Sequence, residues 1–335
     1  IRVHQELAQV QQQIESLVAK GLEVRTLHLD RKGLGMQVYL ETSARVREEM
    51  RNWRPDVIHT MYGGLMGWLV SRAAVGVPIV QAFCGSDLNG DVSGPLSLRS
   101  RAWLGVMMSR WTLTSVHHVI VKSARLRDEL PGWLPGDVVS VVPNGVNLDR
   151  FRPLDHEACL LALGWPAGRF HVVIATPSLD DSNKRVGLAR AAVSLLRGRG
   201  VDAELHTMTD VCHEDVPIWL NAADAVVMTS VQEGSPNIVK EALACNRPVV
   251  SVDVGDVAER IASVSGCHLV GSDAEAVATG LEAVSRGRGT AAGRDAVREL
   301  SLERVADRLV EIYERVVRAE TGGVESTTRQ VVADA

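Results

Sequence analysis

Two rhythms alternate along this chain: short continuous apolar runs, and longer stretches in which apolar residues recur every third or fourth position. The first periodic stretch covers Val3 to Lys20, with Leu7, Val10, Ile14, Leu17 and Val18 on one helical face. Gly21 ends it, and Leu22 to Leu29 alternates as a strand does. Glu41 to Asn52 reads as a charged helix, Asp56 to Tyr62 as a strand, and Gly63-Gly64 opens a helix running to Val75. Pro78 to Phe83 is the next strand and Leu96 to Thr114 the next helix, before strands at His118 to Val121 and Val138 to Val142. Strands alternating with helices predict a parallel sheet covered by helices on both faces.

Pro143-Asn144-Gly145-Val146-Asn147, followed by Phe151-Arg152-Pro153, interrupts the rhythm and places a domain boundary near Asp149. Residues 1–148 and 149–301 are the two domains expected. The second repeats the architecture, with strands at His171 to Thr176, Ala203 to Met208, Ala225 to Met228, Val249 to Val254 and Cys267 to Val270. Its helices include Val186 to Leu196, Pro217 to Ala222 and Ala274 to Val284. Leu302 to Val317 is a long amphipathic helix, within a segment taken as 302–320. The tail, 321–335, is polar and contains Gly and Thr, and is expected to be disordered.

Composition narrows the function. The 335 residues are 46% hydrophobic with few aromatics, as in a two-domain α/β protein, and a net charge of -5 argues against coating nucleic acid. The five cysteines include no CxxC pair, which suggests reduced thiols in a cytoplasm, not a disulfide frame or zinc site. The longest apolar stretch, Leu65 to Phe83, is broken by Arg72, Gly76 and Pro78, so no membrane span or signal peptide is predicted. His59, His117 and His118 sit in or beside apolar strands and read as core or surface residues. His213-Glu214-Asp215 has no third metal ligand at a suitable spacing.

The most informative stretch runs from Asp224 to Glu259. Ala225 to Met228 suits a strand buried on both faces, and Thr229 to Gly234 a loop at its carboxyl end. Ser235 and Pro236 are expected as N-cap and first residue of a helix. Ligands of such sheets sit beyond the carboxyl ends of strands, where helix N-termini offer amide groups to phosphate. Glu233 and Glu241 bracket this place.

That E-x7-E pair, in the context EGSPNIVKEALACNRPVV, closely resembles the retaining GT-B glycosyltransferases of family 4. The resemblance spans Val3 to about Val317. It implies two Rossmann-like doubly wound domains facing across a cleft, with the last helix crossing back to the first domain. It also implies a nucleotide-sugar donor and a saccharide or lipid-linked acceptor, with Gly234, Ser235, Pro236, Asn237 and Ile238 lining the donor site. Glu233 would contact the donor sugar, Glu241 the ribose hydroxyls, and Lys184 the diphosphate. Relatives often place an Arg directly after the preceding strand. This chain has Pro177-Ser178-Leu179 there, which leaves Arg185 as the substitute. No Asp-x-Asp motif occurs, so cations of the protein, not a metal, are expected to meet the leaving diphosphate. No cofactor is expected.

In the first domain, Cys84-Gly85-Ser86-Asp87 occupies the place of an H-G-S-D-like motif on the acceptor side. Cys84 stands where many relatives carry His, and a thiol hydrogen-bonds poorly. The similarity extends to transferases of cell-wall polysaccharide synthesis. The Trp- and Arg-bearing helix from Leu96 is open to two readings, a membrane-contacting face or a core helix with a basic rim. Two rival functions stay open: a nucleotide-sugar epimerase or phosphorylase on the same fold, and a non-catalytic sugar-nucleotide-binding protein. Relatives also open with a strand, whereas here a helix begins within a few residues of Ile1. The first sheet is therefore expected to lack its central strand, leaving two inner strand edges unpaired.

Overall fold

A computed structural model describes residues 5–27, 37–90, 96–287, 292–321 and 330–334. The chain divides into two compact units. The N-terminal unit takes Val3–Gly145 together with Leu302–Ala335, and the C-terminal unit is Val146–Ser301. The change of unit falls between Gly145 and Val146, three residues before Asp149.

The N-terminal unit opens with α1 (Gln5–Ala19), β1 (Glu23–Leu27), α2 (Gln37–Trp53), β2 (Val57–Met61), α3 (Gly64–Ala73) and β3 (Ile79–Phe83). It continues with α4 (Ser86–Asn89), α5 (Leu96–Thr112), β4 (His118–Val121), α6 (Ala124–Asp128) and β5 (Val139–Val141). In the C-terminal unit the order is α7 (His156–Leu163), β6 (Phe170–Ala175), α8 (Val186–Gly198), β7 (Ala203–Met208), α9 (Val216–Ala222) and β8 (Ala225–Met228). There follow α10 (Asn237–Ala244), β9 (Val249–Val252), α11 (Val257–Ile261), β10 (His268–Val270), α12 (Ala274–Gly287) and α13 (Gly293–Ala296). The chain then returns to the N-terminal unit with α14 (Leu302–Glu320) and β11 (Gln330–Asp334).

Both sheets are parallel throughout. The C-terminal sheet runs β10-β9-β8-β6-β7. Every residue of β8 and β9 is buried, as continuous apolar runs require when helices cover both faces. Chain order reverses between β6 and β8, because β7 pairs on one side of β6 and β8 on the other. In an open α/β sheet such a reversal leaves a crevice beyond the carboxyl ends of the two strands.

The N-terminal sheet runs β1-β11-β2-β3-β4-β5, and its fifth residue pair out from the start of β11 sets Asp334 beside Leu27. The expectation of two unpaired inner strand edges is therefore corrected. Residues 330–334 lie between β1 and β2, parallel to both, with Val331 opposite Val24 on one side and Val57 on the other. The inner edges of β1 and β2 are thereby paired. The expectation of a disordered tail is corrected with it for 330–334; residues 322–329 lie outside the described residues. A five-residue strand has too little periodicity to stand out in a polar tail, and its stability comes from a slot flanked by strands on both sides.

Below this sheet, α14 buries Val305, Leu309, Ile312, Tyr313, Val316 and Val317 in a cluster with Val10, Leu17, Val57, Val80, Ile120 and Val331. Its apolar residues recur every three or four positions and face one way. Tyr313 Oη lies 2.5 Å from Nδ1 of His59 on β2, tying helix to sheet inside the core. The other ring nitrogen of His59 is buried without a hydrogen-bond partner.

Candidate active site

The loops leaving β6 and β8 are zipped together at the point where chain order reverses. Val231 N donates to Asn183 O at 2.8 Å, Asn183 Nδ2 to Gln232 O at 3.0 Å, and Gln232 N to Asn183 Oδ1 at 3.0 Å. Thr229 Oγ1 adds a bond of 2.7 Å to Lys184 O. This clamp fixes the backbone of Lys184 against that of Glu233, and their side chains form an ion pair, Lys184 Nζ to Glu233 Oε1, at 2.6 Å. The two side chains keep 22% and 16% of their surface exposed, enough to meet a ligand yet shielded from bulk screening. Ala175, Lys184, Met228, Thr229, Ser230 and Ile238 pack closely around this place.

Arg185 does something else. Its backbone is left-handed, with φ of 48°, and its guanidinium turns back onto the loop after β8. There Nε donates to Thr229 O at 2.5 Å and Nη2 to Ser230 O at 3.4 Å. Arg185 thus holds the loop that presents Glu233, while Lys184 carries the charge turned to that carboxylate.

Helix α10 begins one residue later than expected. Pro236, with φ of -68° and ψ of 124°, is the N-cap, and no side chain caps the helix. Ser235, expected in that role, instead donates its hydroxyl to Asp256 Oδ2 at 2.9 Å and accepts from Lys240 Nζ at 3.1 Å. Arg260 Nε binds the same Asp256 oxygen at 2.9 Å. A buried carboxylate with two cations nearby outcompetes a cap, because charge-assisted bonds are the stronger ones. Gly255 closes this arrangement: a Cβ there would stand 2.6 Å from Gly234 O, on a backbone with φ of 55°. Gly234, Ser235, Pro236, Asn237 and Ile238 therefore form one braced turn leading into the positive end of the α10 dipole. Glu241 follows on α10, where it is 4% exposed.

In the N-terminal unit, the loop after β3 is built around Asp87. Its carboxylate accepts from the backbone amides of Cys84 at 3.0 Å, Gly85 at 2.8 Å and Gly63 at 3.0 Å. Burial pushes the Asp87 carboxyl above the ordinary carboxylate range, and these amide bonds oppose the shift. Asp87 thus shapes the loop that displays Cys84 and Ser86. Gly63 admits no side chain, since a Cβ would meet Ser109 Oγ at 2.3 Å. Lys122, at the carboxyl end of β4, is buried beside this loop; burial lowers its pKa, against the pull of Cys84 and Asp87. The histidines play structural parts: His118 Nε2 lies 2.9 Å from Ser140 Oγ, and His117 Nδ1 accepts from Ile79 N at 3.0 Å.

Residues 11–150 match Glycosyltransferase Family 4, and residues 169–286 match Glycosyl transferases group 1. The chain is 27% identical over 326 residues to a D-inositol 3-phosphate glycosyltransferase of Mycobacterium tuberculosis, covering 83% of this chain and 65% of that protein. It therefore spans about two thirds of the length of the curated relatives it matches. A sucrose-phosphate synthase from Thermosynechococcus elongatus superposes with a TM-score of 0.78 at 19% identity, covering 94% of each chain. HepE of Anabaena, solved with UDP, superposes with a TM-score of 0.58 at 17% identity over 86% of this chain and 84% of HepE. The chain belongs to the family 4 glycosyltransferases of GT-B fold.

Of the residues that the family pattern singles out, the C-terminal unit pairs Lys184 with Glu233, and the 234–238 turn follows Glu233 directly in the chain. Glu241 is buried on the helix leaving that turn, and Arg185 is committed to carbonyls. Cys84, Gly85, Ser86 and Asp87 stand on the other unit. Sequence reading passed over Asn183, Lys240, Asp256 and Lys122. Asn183 sits directly before Lys184 in a strand-end loop, a position that signals backbone anchoring in such sheets.

Proposed function

We propose that this family 4 chain is a retaining glycosyltransferase that moves a sugar from a nucleotide-diphosphate donor to a saccharide or lipid-linked acceptor. The observation that carries the reading is the Lys184–Glu233 pair at the strand reversal, beside the uncapped start of α10. A departing diphosphate develops negative charge, and a preorganised ammonium with a helix N-terminus stabilises it without reorganisation. Lys184 exchanges Glu233 for the diphosphate when donor binds. Glu233, released, faces the sugar and supports the positive charge that gathers at the anomeric carbon. Glu241 accepts from the ribose hydroxyls. The acceptor is taken up by the loop of Cys84, Gly85 and Ser86, where Asp87 sets the backbone.

In this reading the protein's own cations suffice, and no metal or cofactor is required. The acceptor belongs to cell-surface polysaccharide or glycoconjugate synthesis on the cytoplasmic side, and the chain associates peripherally with the inner face of the membrane. What supports membrane contact is α5, whose Trp103, Leu104 and Trp111 are exposed. Among the described residues no helix is long and apolar enough to cross a membrane.

A second reading, donor binding without transfer, has one observation in its favour: Arg185 is tied to the carbonyls of Thr229 and Ser230 and so is not turned toward Glu233 as Lys184 is. One experiment separates the two. Purified protein is incubated with a panel of nucleotide sugars, with and without saccharide or lipid-linked acceptors, and in the presence of EDTA. Transfer with retained anomeric configuration, insensitive to EDTA, is expected. Tight donor binding with neither hydrolysis nor transfer would favour the second reading.

A further inference from the structure

A second cluster of chemically capable side chains lies toward the amino ends of β6 and β7, the opposite end of those strands from the donor loops. His171 is the second residue of β6, and Glu204 and His206 are the second and fourth of β7. His171 and Glu204 are register partners, and a strand returns to the same face every second residue. All three side chains therefore emerge on one face of two adjacent strands. Their ligand atoms lie within 4.8 Å of one another. His171 Nδ1 is 2.9 Å from His206 Nε2.

The surroundings fix which atoms are presented. His171 Nε2 is 2.9 Å from Pro166 O. A carbonyl only accepts, so Nε2 carries the proton, and in the neutral ring Nδ1 offers its lone pair toward His206. A backbone carbonyl on the far nitrogen is the usual outer partner of a metal-bound histidine, setting both tautomer and ring orientation. Trp165 stacks on His206 at 3.5 Å between ring centroids, and Trp219 packs edge-on against Trp165. This apolar wall restricts the histidine rings and lowers the local dielectric. Glu204 is held from outside as well. Arg169 Nη1 donates to its Oε2 at 2.9 Å while Nε reaches Asp202, which leaves Oε1 for a further partner. Glu204 and His206 are half-buried, so an ion can reach them from solvent.

We propose that His171, Glu204 and His206 form a structural binding site for a divalent transition ion of the zinc class, with water completing four-coordination. Two imidazoles and one carboxylate suit zinc, cobalt or nickel and are a poor set for magnesium or calcium, which favour all-oxygen shells. Bonds of about 2.0–2.1 Å place ligand atoms roughly 3.3 Å apart around a tetrahedral ion. Side-chain rotation brings the present cluster to that spacing while the backbone stays paired. His206 then carries its proton on Nδ1 in place of Nε2, so no net charge is gained or lost by the rings. The ion clamps β7, the edge strand of the sheet, to β6. It acts on stability, at a place distinct from the transfer site.

The test uses tag-free full-length protein stripped with chelator. Cobalt is titrated while visible d–d absorption is followed, and zinc is titrated by calorimetry and by thermal unfolding. A cobalt spectrum of four-coordinate type is expected, with a zinc-dependent rise in Tm on the order of 5 °C at about a hundred-fold excess over Kd. Magnesium is expected to give neither. His206→Gln and His171→Asn should each abolish the spectrum and the Tm response while leaving donor binding intact. Glu204→Gln, which keeps the stacked ring pair, should weaken zinc binding about tenfold or more. Absence of both signals in the unmodified protein would overturn the proposal. So would a zinc response of unchanged size in all three variants, since the ion would then be bound elsewhere.

Discussion

The two sheets reach the same doubly wound architecture by different routes. Among the described residues the C-terminal unit is one unbroken stretch, Val146–Ser301, and each strand is paired with neighbours connected through nearby helices. The N-terminal unit is built from two stretches, and the slot between β1 and β2 is filled by residues 330–334, some three hundred residues from its partners in β1. Where a site is local, as in the loops after β6 and β8, its backbone is set by contacts between adjacent strands. Where the frame depends on a distant segment, stability of the whole unit rests on a short strand that must close a very long loop. Closure entropy grows only slowly with length, so the arrangement is tolerable, and pairing to a strand on each side holds it in place.

The sharpest way to break this contrast is to delete the chain after Glu320. The N-terminal unit should then lose the strand between β1 and β2 and with it the protection of the β2 amides from Val57 to Met61. Each strand-edge group left buried and unpaired costs about 1–3 kcal/mol, which summed over two edges rivals a domain's stability. Hydrogen exchange should show collapse of protection in β1 and β2 with β6, β8 and β9 unchanged, and nucleotide binding should persist. Unaltered exchange in β2 would remove residues 330–334 from the frame.

Acid offers a second handle on the same unit. Burial, with Lys122 nearby, holds His59 at about 3, and burial holds His118 at about 4. A histidine whose folded pKa is lowered contributes stability that is complete above its unfolded pKa, about 6.5. That contribution is lost as pH falls toward the folded value, because the unfolded chain takes up the proton first. Each such group should give a slope of about 1.4 kcal/mol per pH unit in that window. His59→Asn, which keeps an acceptor for Tyr313, should flatten the acid side of the stability profile of the N-terminal unit. An unchanged slope would mean that His59 is protonated in the folded state.

The difference between the units also governs how much could be read from the sequence. The strands from Ala225 to Met228 and from His118 to Val121 announce themselves as apolar runs, and that from Ala203 to Met208 by its place in the strand–helix alternation; the observed bounds of all three agree with that reading. Lys184, Glu233 and the 234–238 turn were legible because strand-end loops and family spacing mark them. β11 was not legible, since Val331, Val332 and Ala333 make too short a run to signal a strand without its slot. The cap of α10 was misread because Ser235 has the composition of an N-cap, and its binding to Asp256 depends on a loop twenty-one residues on. The orientation of Arg185 follows from its left-handed backbone, which no local pattern foretold.

Smaller effects refine the picture of the site. Glu241→Ala should weaken donor binding by about 1.5–3 kcal/mol, the range for hydrogen bonds to a charged group, with a lesser effect on kcat. Calorimetry with the nucleotide alone and with the full donor would check this, and equal affinity would remove the ribose contact. Cys84→Ser should keep most of the activity, because the loop is held by Asp87 and the backbone, and Cys84→His should be tolerated. Complete loss of transfer in a stable Cys84→Ser protein would make the thiol a participant in the chemistry.

The central claim is that the pair clamped between the loops of β6 and β8 is the donor site. The direct measurement is steady-state turnover of Lys184→Ala against the unmodified protein, with hydrogen exchange of β6 and β8 confirming that the C-terminal sheet is intact. Loss of one preorganised charge from the leaving diphosphate should reduce kcat by about a hundred-fold or more. Turnover close to that of the unmodified protein, on an intact sheet, would contradict the account.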